Sequence, residues 1–246
     1  MGLSFEELDW QATPLGEISL RRRIEPTLGI DVYEMKLGDE FLMSSLFTVA
    51  EIELARLGLA ELTTDAIDVL VGGLGLGYTA VAVLQDPRIR SLTVVDAMAP
   101  VIDWHYRGLL PETAGLATDP RVRLMQGDFF ALVAGGTGFG EDLPRRYDAI
   151  LLDIDHTPQH VLNPSHAPFY SRDGLAAMKQ HFQPHGVFAL WSDDPAEDEF
   201  LQTLSQAFST ARAERVTFPN PLTRGESANT VYVARDLDGT SRPQRR

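Results

Sequence analysis

Ile67-Asp-Val-Leu-Val-Gly-Gly-Leu-Gly-Leu-Gly77 is an apolar run that stops abruptly in glycines, and a helix-like segment, Tyr78 to Leu84, follows at once. The order is that of a buried strand, a tight loop and a helix start. Glycines there let the backbone turn sharply and approach a ligand closely, because no Cβ stands in the way. A second apolar run, Ser91 to Val95, ends in Asp96, about 20 residues beyond the glycines. An acidic residue at that distance can hydrogen-bond the hydroxyls of a ribose. Together the two signals point to an adenosine-type ligand, with Gly73, Gly75 and Gly77 as its loop.

Outward from this unit, apolar runs alternate with helical segments. Strands are predicted at 67–71, 91–95, 122–125, 147–152, 186–191, 215–218 and 230–234, and helices at 78–84, 99–109, 129–133, 174–182 and 197–211. Alternation with short connections predicts an α/β fold, a mostly parallel seven-stranded sheet with helices on both faces. A loop rich in Pro, Asn and Gly between the last two runs (219–228) predicts a terminal antiparallel hairpin. Before the sheet, 18–20, 31–36 and 41–43 are extended candidates separated by turn residues, which makes a small β extension. A helix over 48–59 follows, with Thr48 as its N-cap and Ile52, Leu54, Ala55, Leu57 and Leu59 as its apolar face. The expected division is residues 1–46 as the extension, 47–236 as the main domain and 237–246 as a polar tail.

The chain has 246 residues, 44% apolar and 23% charged, enough for a sizeable core. Its formal net charge of −14 repels phosphate backbones, so nucleic acid is not expected as a partner, whereas a cationic or amine ligand is electrostatically welcome. The basic triplet Arg21-Arg22-Arg23 is read as the solvated end of a strand. The chain contains no cysteine, which excludes disulfides, thiolate metal sites and a cysteine nucleophile. The N-terminus lacks the pattern of a signal peptide and no stretch reaches the length of a membrane span, so a cytoplasmic protein without a membrane partner is expected.

Ligands of open α/β sheets bind outside the carboxyl ends of the strands. Those ends carry the glycine loop, Asp96, Gly127-Asp128-Phe129 and Asp153-Ile154-Asp155-His156. Asp128 can accept from an adenine amine, with Phe129 against the ring; it can equally cap the helix that begins there. Asp153 ends a very apolar strand at the rim of the expected site, where a carboxylate can orient a nucleophile and accept its proton; the alternative is a turn-forming Asp. Asp153, Asp155, His156, His160 and His166 also suggest metal ligands, but Pro158, Pro164 and Pro168 forbid helical spacing there, so no metal is expected. There is neither a Gly-x-Ser-x-Gly elbow nor a Walker loop, and Gly73-x-Gly75-x-Gly77 is not the dehydrogenase fingerprint. Trp10, Trp104 and Trp191 are read as packing residues, His105 as structural, and Asp193-Asp194-Pro195 as a turn at the same rim.

With these pieces in place the chain resembles the spermidine synthase (polyamine aminopropyltransferase) family, within the Rossmann-like fold of S-adenosylmethionine-dependent methyltransferases. The matching segments are Val71 to Gly77, Val94-Val-Asp96, Asp119-Pro-Arg-Val122 with Gly127-Asp128, Tyr147 to Asp153, Phe169-Tyr170 and Pro184-His-Gly186. The resemblance implies a transferase of polyamine biosynthesis that moves an aminopropyl group from decarboxylated S-adenosylmethionine to a small-molecule amine, without a metal and as a homo-oligomer, dimer or tetramer. It implies a ribose contact at Asp96, an adenine contact at Asp128, catalysis at Asp153 and at Asp155, and substrate contacts at His156 and Tyr170. Three features depart from the family pattern. Gly75 stands where the loop usually has an aspartate, residues 50–55 read Ala-Glu-Ile-Glu-Leu-Ala in place of a Tyr-His-Glu segment, and the second aspartate of the signature is displaced. An uncharged loop suits intact S-adenosylmethionine, so a methyltransferase is the alternative. A nucleoside-binding relative without catalysis is a further one.

Overall fold

The computed structural model describes residues 5–136, 139–140 and 146–236; the expected polar tail 237–246 lies outside them. The chain opens with β1 (Phe5–Thr13), β2 (Gly16–Glu25), β3 (Ile30–Leu37) and β4 (Glu40–Ser44), an antiparallel four-stranded sheet in the order β1-β2-β3-β4. The extension is larger than its short apolar runs suggested. β1 in particular carries the polar sequence Phe-Glu-Glu-Leu-Asp-Trp-Gln-Ala-Thr, which offers no buried face of its own and becomes a strand by pairing with β2. Arg21, Arg22 and Arg23 lie in the middle of β2, not at a solvated end. They are paired across strands with Glu34 (3.4 Å), Glu6 (2.8 Å) and Glu34 again (2.7 Å).

α1 (Val49–Ala60) leads into the main sheet, built from β5 (Ile67–Gly72), α2 (Tyr78–Leu84), β6 (Ile89–Asp96), α3 (Ala99–Tyr106), β7 (Val122–Gln126), α4 (Phe129–Gly135), β8 (Tyr147–Leu152), α5 (Arg172–Met178), β9 (Phe182–Ser192), α6 (Asp198–Ala207), β10 (Thr210–Asn220) and β11 (Gly225–Arg235). The strand order is β10-β11-β9-β8-β5-β6-β7, with β5, β6, β7, β8 and β9 parallel and the β10–β11 hairpin antiparallel at one edge. This is a Rossmann-like mixed sheet with flanking helices. Successive residues of the central strands point to opposite faces, so two cores form. Val69, Val71, Val94, Ala149 and Leu151 pack with α1, α2 and α3; Leu70, Val95, Ile150 and Leu152 pack with α4, α5 and α6. β5 is buried along its whole length, as a strand covered on both faces must be.

Several boundaries differ from those read in the sequence. Thr48 precedes α1 but makes no side-chain capping bond, and Ile52 is 40% exposed, while Ala50, Glu51, Leu54, Ala55, Gly58 and Leu59 form the buried face. Phe182 begins β9 and does not end a helix, and the Pro184-His-Gly186 turn is an irregularity within β9, where His185 takes φ 64°. α6 stops at Ala207 because Thr210 and Ala211 are claimed by pairing with Arg235 and Ala234. Trp10 is 49% exposed and so is no packing residue; Trp104 is fully buried, its Nε1 donating to Asp9 Oδ2 (2.7 Å).

Candidate active site

Connections from β5 run one way across the sheet, to β6 and β7, and those from β8 run the other way, to β9. A crevice therefore opens between the carboxyl ends of β5 and β8, the switch point of an open α/β sheet. It widens into a cavity of about 1090 Å³, roofed by the β1–β2 turn and by β3 and β4 of the first sheet.

The glycine loop forms the floor. Gly73 takes φ 95°, and a Cβ there would lie 2.0 Å from the carbonyl oxygen of Asp153. Only glycine lets β5 and β8 approach so closely. Gly75 takes φ 47°, and the space that a side chain on it would use is filled by Met43 Sδ from β4, which also accepts from Leu76 N (3.2 Å). The loop carbonyls are held from behind: His105 Nε2 lies 3.0 Å from Gly75 O and Thr113 Oγ1 donates to Leu76 O (3.0 Å). The structural reading of His105 therefore stands. Gly77, the αL residue ahead of α2, packs against the His105 ring and does not line the cavity.

Asp96, at the end of β6, accepts from Leu74 N (3.0 Å) and Met98 N (2.8 Å), one on each oxygen, shaping the loop, and it is among the residues that line the cavity. Burial pushes its carboxyl up, against those backbone donors. At the end of β7, Gly127, Asp128 and Phe129 also line the cavity. Asp128 Oδ1 accepts from Ala131 N (3.0 Å), so the capping half of its double reading is realised, and its Oδ2 takes no part in that bond.

At the other end, Asp153 is joined by a residue that sequence reasoning passed over. Glu51, on the buried face of α1, is only 7% exposed and lines the same cavity. Burial, then the charge of Asp153, pushes its carboxyl up to about 8. Asp153 accepts from Thr79 Oγ1 (2.7 Å), yet burial still raises it to about 6. Asp193, at the end of β9, is the third carboxylate of this end, with Asn229 Nδ2 donating to its Oδ1 (2.7 Å), and Trp191 and Phe218 supply apolar wall. Five acidic side chains line the cavity, those of Glu51, Asp96, Asp128, Asp153 and Asp193, and among the described residues no Lys or Arg lines it. The arrangement calls for a cation.

The segment after β8 divides the remaining candidates. His156 lines the cavity, its Nε2 3.0 Å from Glu40 Oε1 on β4. Asp155 and Tyr170 do not. Asp155 is 1% exposed and accepts from Leu162 N (2.7 Å), Tyr170 Oη (2.7 Å) and His166 Nδ1 (2.8 Å), so it holds the loop together instead of meeting a substrate. His166, named in the sequence only as a metal candidate, lines the cavity. Among the described residues no group of three acidic or histidine side chains is placed to hold a metal ion, and no helix is long and apolar enough to cross a membrane.

A family model described as the spermine/spermidine synthase domain matches residues 53–227. Among curated proteins, polyamine aminopropyltransferases of Bacillus subtilis (strain 168) and Oceanobacillus iheyensis are 28% and 27% identical over 127 and 146 residues, or 52% and 58% of this chain. The matched stretches make up 41% and 26% of those proteins, so the chain spans less than half the length of the curated relatives it matches. Among solved structures, a spermidine synthase from Thermotoga maritima superposes with TM-score 0.71 at 17% identity, covering 95% of this chain and 74% of that one. Human methyltransferase-like protein 13, solved in complex with SAH, gives 0.53 at 21% identity, covering 80% and 81%. At these identities the structural likenesses speak for the fold alone.

Proposed function

Because the chain belongs to the spermine/spermidine synthase domain family, we propose that it is an aminopropyltransferase, taking decarboxylated S-adenosylmethionine as donor and a small diamine or polyamine as acceptor. The observation that carries this reading is the acidity of the cavity: five acidic side chains, of which Glu51, raised to about 8, gives up its proton most readily beside a cation, and, among the described residues, no Lys or Arg. A sulfonium, an aminopropyl ammonium and an amine acceptor are all cations, and all gain from such a lining. The cavity of about 1090 Å³ has room for a nucleoside and an amine side by side.

In the proposed reaction the acceptor nitrogen attacks the carbon beside the sulfonium. The carbon–sulfur bond breaks, its electron pair neutralises the sulfur, and methylthioadenosine leaves. Asp153, fixed by Thr79, aligns the acceptor and takes the proton that its nitrogen loses, while Glu51 shares that proton and the positive charge. Asp96 supports the ribose and Asp128 the base. Methyl transfer from intact S-adenosylmethionine is the second reading, favoured by Gly75, which puts no carboxylate against the donor's own.

Incubation with decarboxylated S-adenosylmethionine and putrescine, spermidine or another diamine should release methylthioadenosine, detected chromatographically. Asp153→Asn should lower that release about 100-fold or more, as loss of a general base does, while methylthioadenosine binding stays within about threefold (~0.6 kcal/mol). If decarboxylated S-adenosylmethionine yields no methylthioadenosine with any polyamine, while the intact donor methylates an amine, the second reading replaces the first.

A further inference from the structure

His166 lines the cavity, as do Asp128 and Leu162, and it is held between Asp155, in the segment after β8, and Phe130 of α4, two residues beyond Asp128. Its backbone is fixed by a 3-10 turn over Pro164–Tyr170 that Asn163 caps, and His166 N donates to Asn163 O (2.9 Å). Its ring lies flat on Phe130, with centroids 4.0 Å apart and planes at 23°. One face is thereby covered, which leaves the ring edge to meet a ligand.

Asp155 decides what that edge offers. Its buried carboxylate already accepts from a backbone amide and a tyrosine hydroxyl, so its 2.8 Å contact with His166 Nδ1 is one in which the ring donates. With the proton held on Nδ1, the neutral ring carries its lone pair on Nε2. That nitrogen makes no hydrogen bond to a described residue. Asp128, two residues before the Phe130 on which the ring lies, presents a second acceptor, its Oδ1 being engaged by Ala131 N and its Oδ2 free of that bond. An exocyclic amine has two N–H groups, and two acceptors are what it needs.

We propose that His166 reads the 6-position of a purine, its Nε2 accepting one amine hydrogen while Asp128 accepts the other. The assignment rests on the nucleoside reading of the cavity. It predicts rejection of 6-oxo purines, whose carbonyl would face two lone pairs and leave both unpaired.

The test is calorimetric titration of the full chain with methylthioadenosine and methylthioinosine, which differ at that position and in the proton that the 6-oxo form carries on N1, so the His166 variants decide which edge is read. The parent should prefer the amino compound by about 100-fold. His166→Phe keeps the stack on Phe130 without the acceptor and should weaken methylthioadenosine about tenfold, narrowing the ratio. His166→Gln, whose amide can also donate, should narrow it from the other side by strengthening methylthioinosine. Equal affinities in the parent, or an unchanged ratio in both variants, would overturn the role of His166 and leave the nucleoside reading intact. If the parent binds neither compound, the nucleoside reading itself falls, and this assignment with it. A variant whose melting temperature reveals misfolding is set aside and the other decides.

Discussion

Glu51 and Asp153 are two carboxylates drawn out of water into one cavity, and each makes the other harder to ionise. Their folded-state values, about 8 against 4.5 and about 6 against 3.8, are both raised. The folded chain therefore binds protons that the unfolded chain has released. The stability that this pair contributes is complete below about pH 4 and is lost as pH rises through 8. Glu51→Gln is neutral throughout. Relative to the parent it should melt at higher temperature at pH 8.5, by a difference on the order of 1–3 kcal/mol, and about equally at pH 5. Thermal melts of both proteins across pH 5–9 check this, and a parallel pH dependence would exclude burial of a charged Glu51. The sequence did carry a sign of this residue: Glu51 sits three, four and seven positions before Leu54, Ala55 and Gly58, on the apolar face of α1. One acid in a helix ordinarily faces solvent, so the pattern alone does not single it out. Asp155 errs the other way, since a second aspartate two places after Asp153 looks catalytic until its three donors are seen.

At the level of elements, the meeting of β5 with β8 is the least forgiving feature. Gly73→Ala would place a Cβ 2.0 Å from backbone, at a φ of 95°, and neither strand can yield without moving Asp153. The loss should exceed about 3 kcal/mol, seen as failure to fold or a large drop in melting temperature. Gly75→Ala meets the far end of a flexible side chain, Met43 Sδ at 2.5 Å, and should cost about 1–2 kcal/mol. Met43→Ala should offset part of that cost in the double variant, and denaturant melts of the four proteins measure the coupling. The elements of the main sheet were legible because buried parallel strands are nearly continuous apolar runs; the runs at 67–71 and 147–152 end within a residue of β5 and β8. β1 and the outer half of β10 were not, because an edge strand with one face in water owes its form to its neighbour and not to its own pattern.

For the molecule as a whole, the decisive fact is that two sheets share one cavity. The first sheet is tied to the second by Asp9, which accepts from buried Trp104 Nε1 (2.7 Å) and pairs with Arg107 (3.1 Å), by Met43 on the glycine loop, and by Glu40 against His156 (3.0 Å). Asp9→Ala leaves the indole nitrogen unpartnered and should cost about 1–3 kcal/mol in denaturant melts. The fold of the main sheet could be read without the first one, whereas the roof of the site could not, because it depends on how two separately patterned sheets meet. Residence time follows from the same construction. A molecule held between the sheets passes the contacts that join them as it leaves, and the Glu40–His156 contact crosses that seam at the wall of the cavity. Glu40→Gln should therefore hasten the departure of bound methylthioadenosine more than it changes equilibrium affinity, so that arrival quickens too. Stopped-flow traces of both phases would register the seam as a kinetic gate, and unchanged rates would assign that role to other contacts.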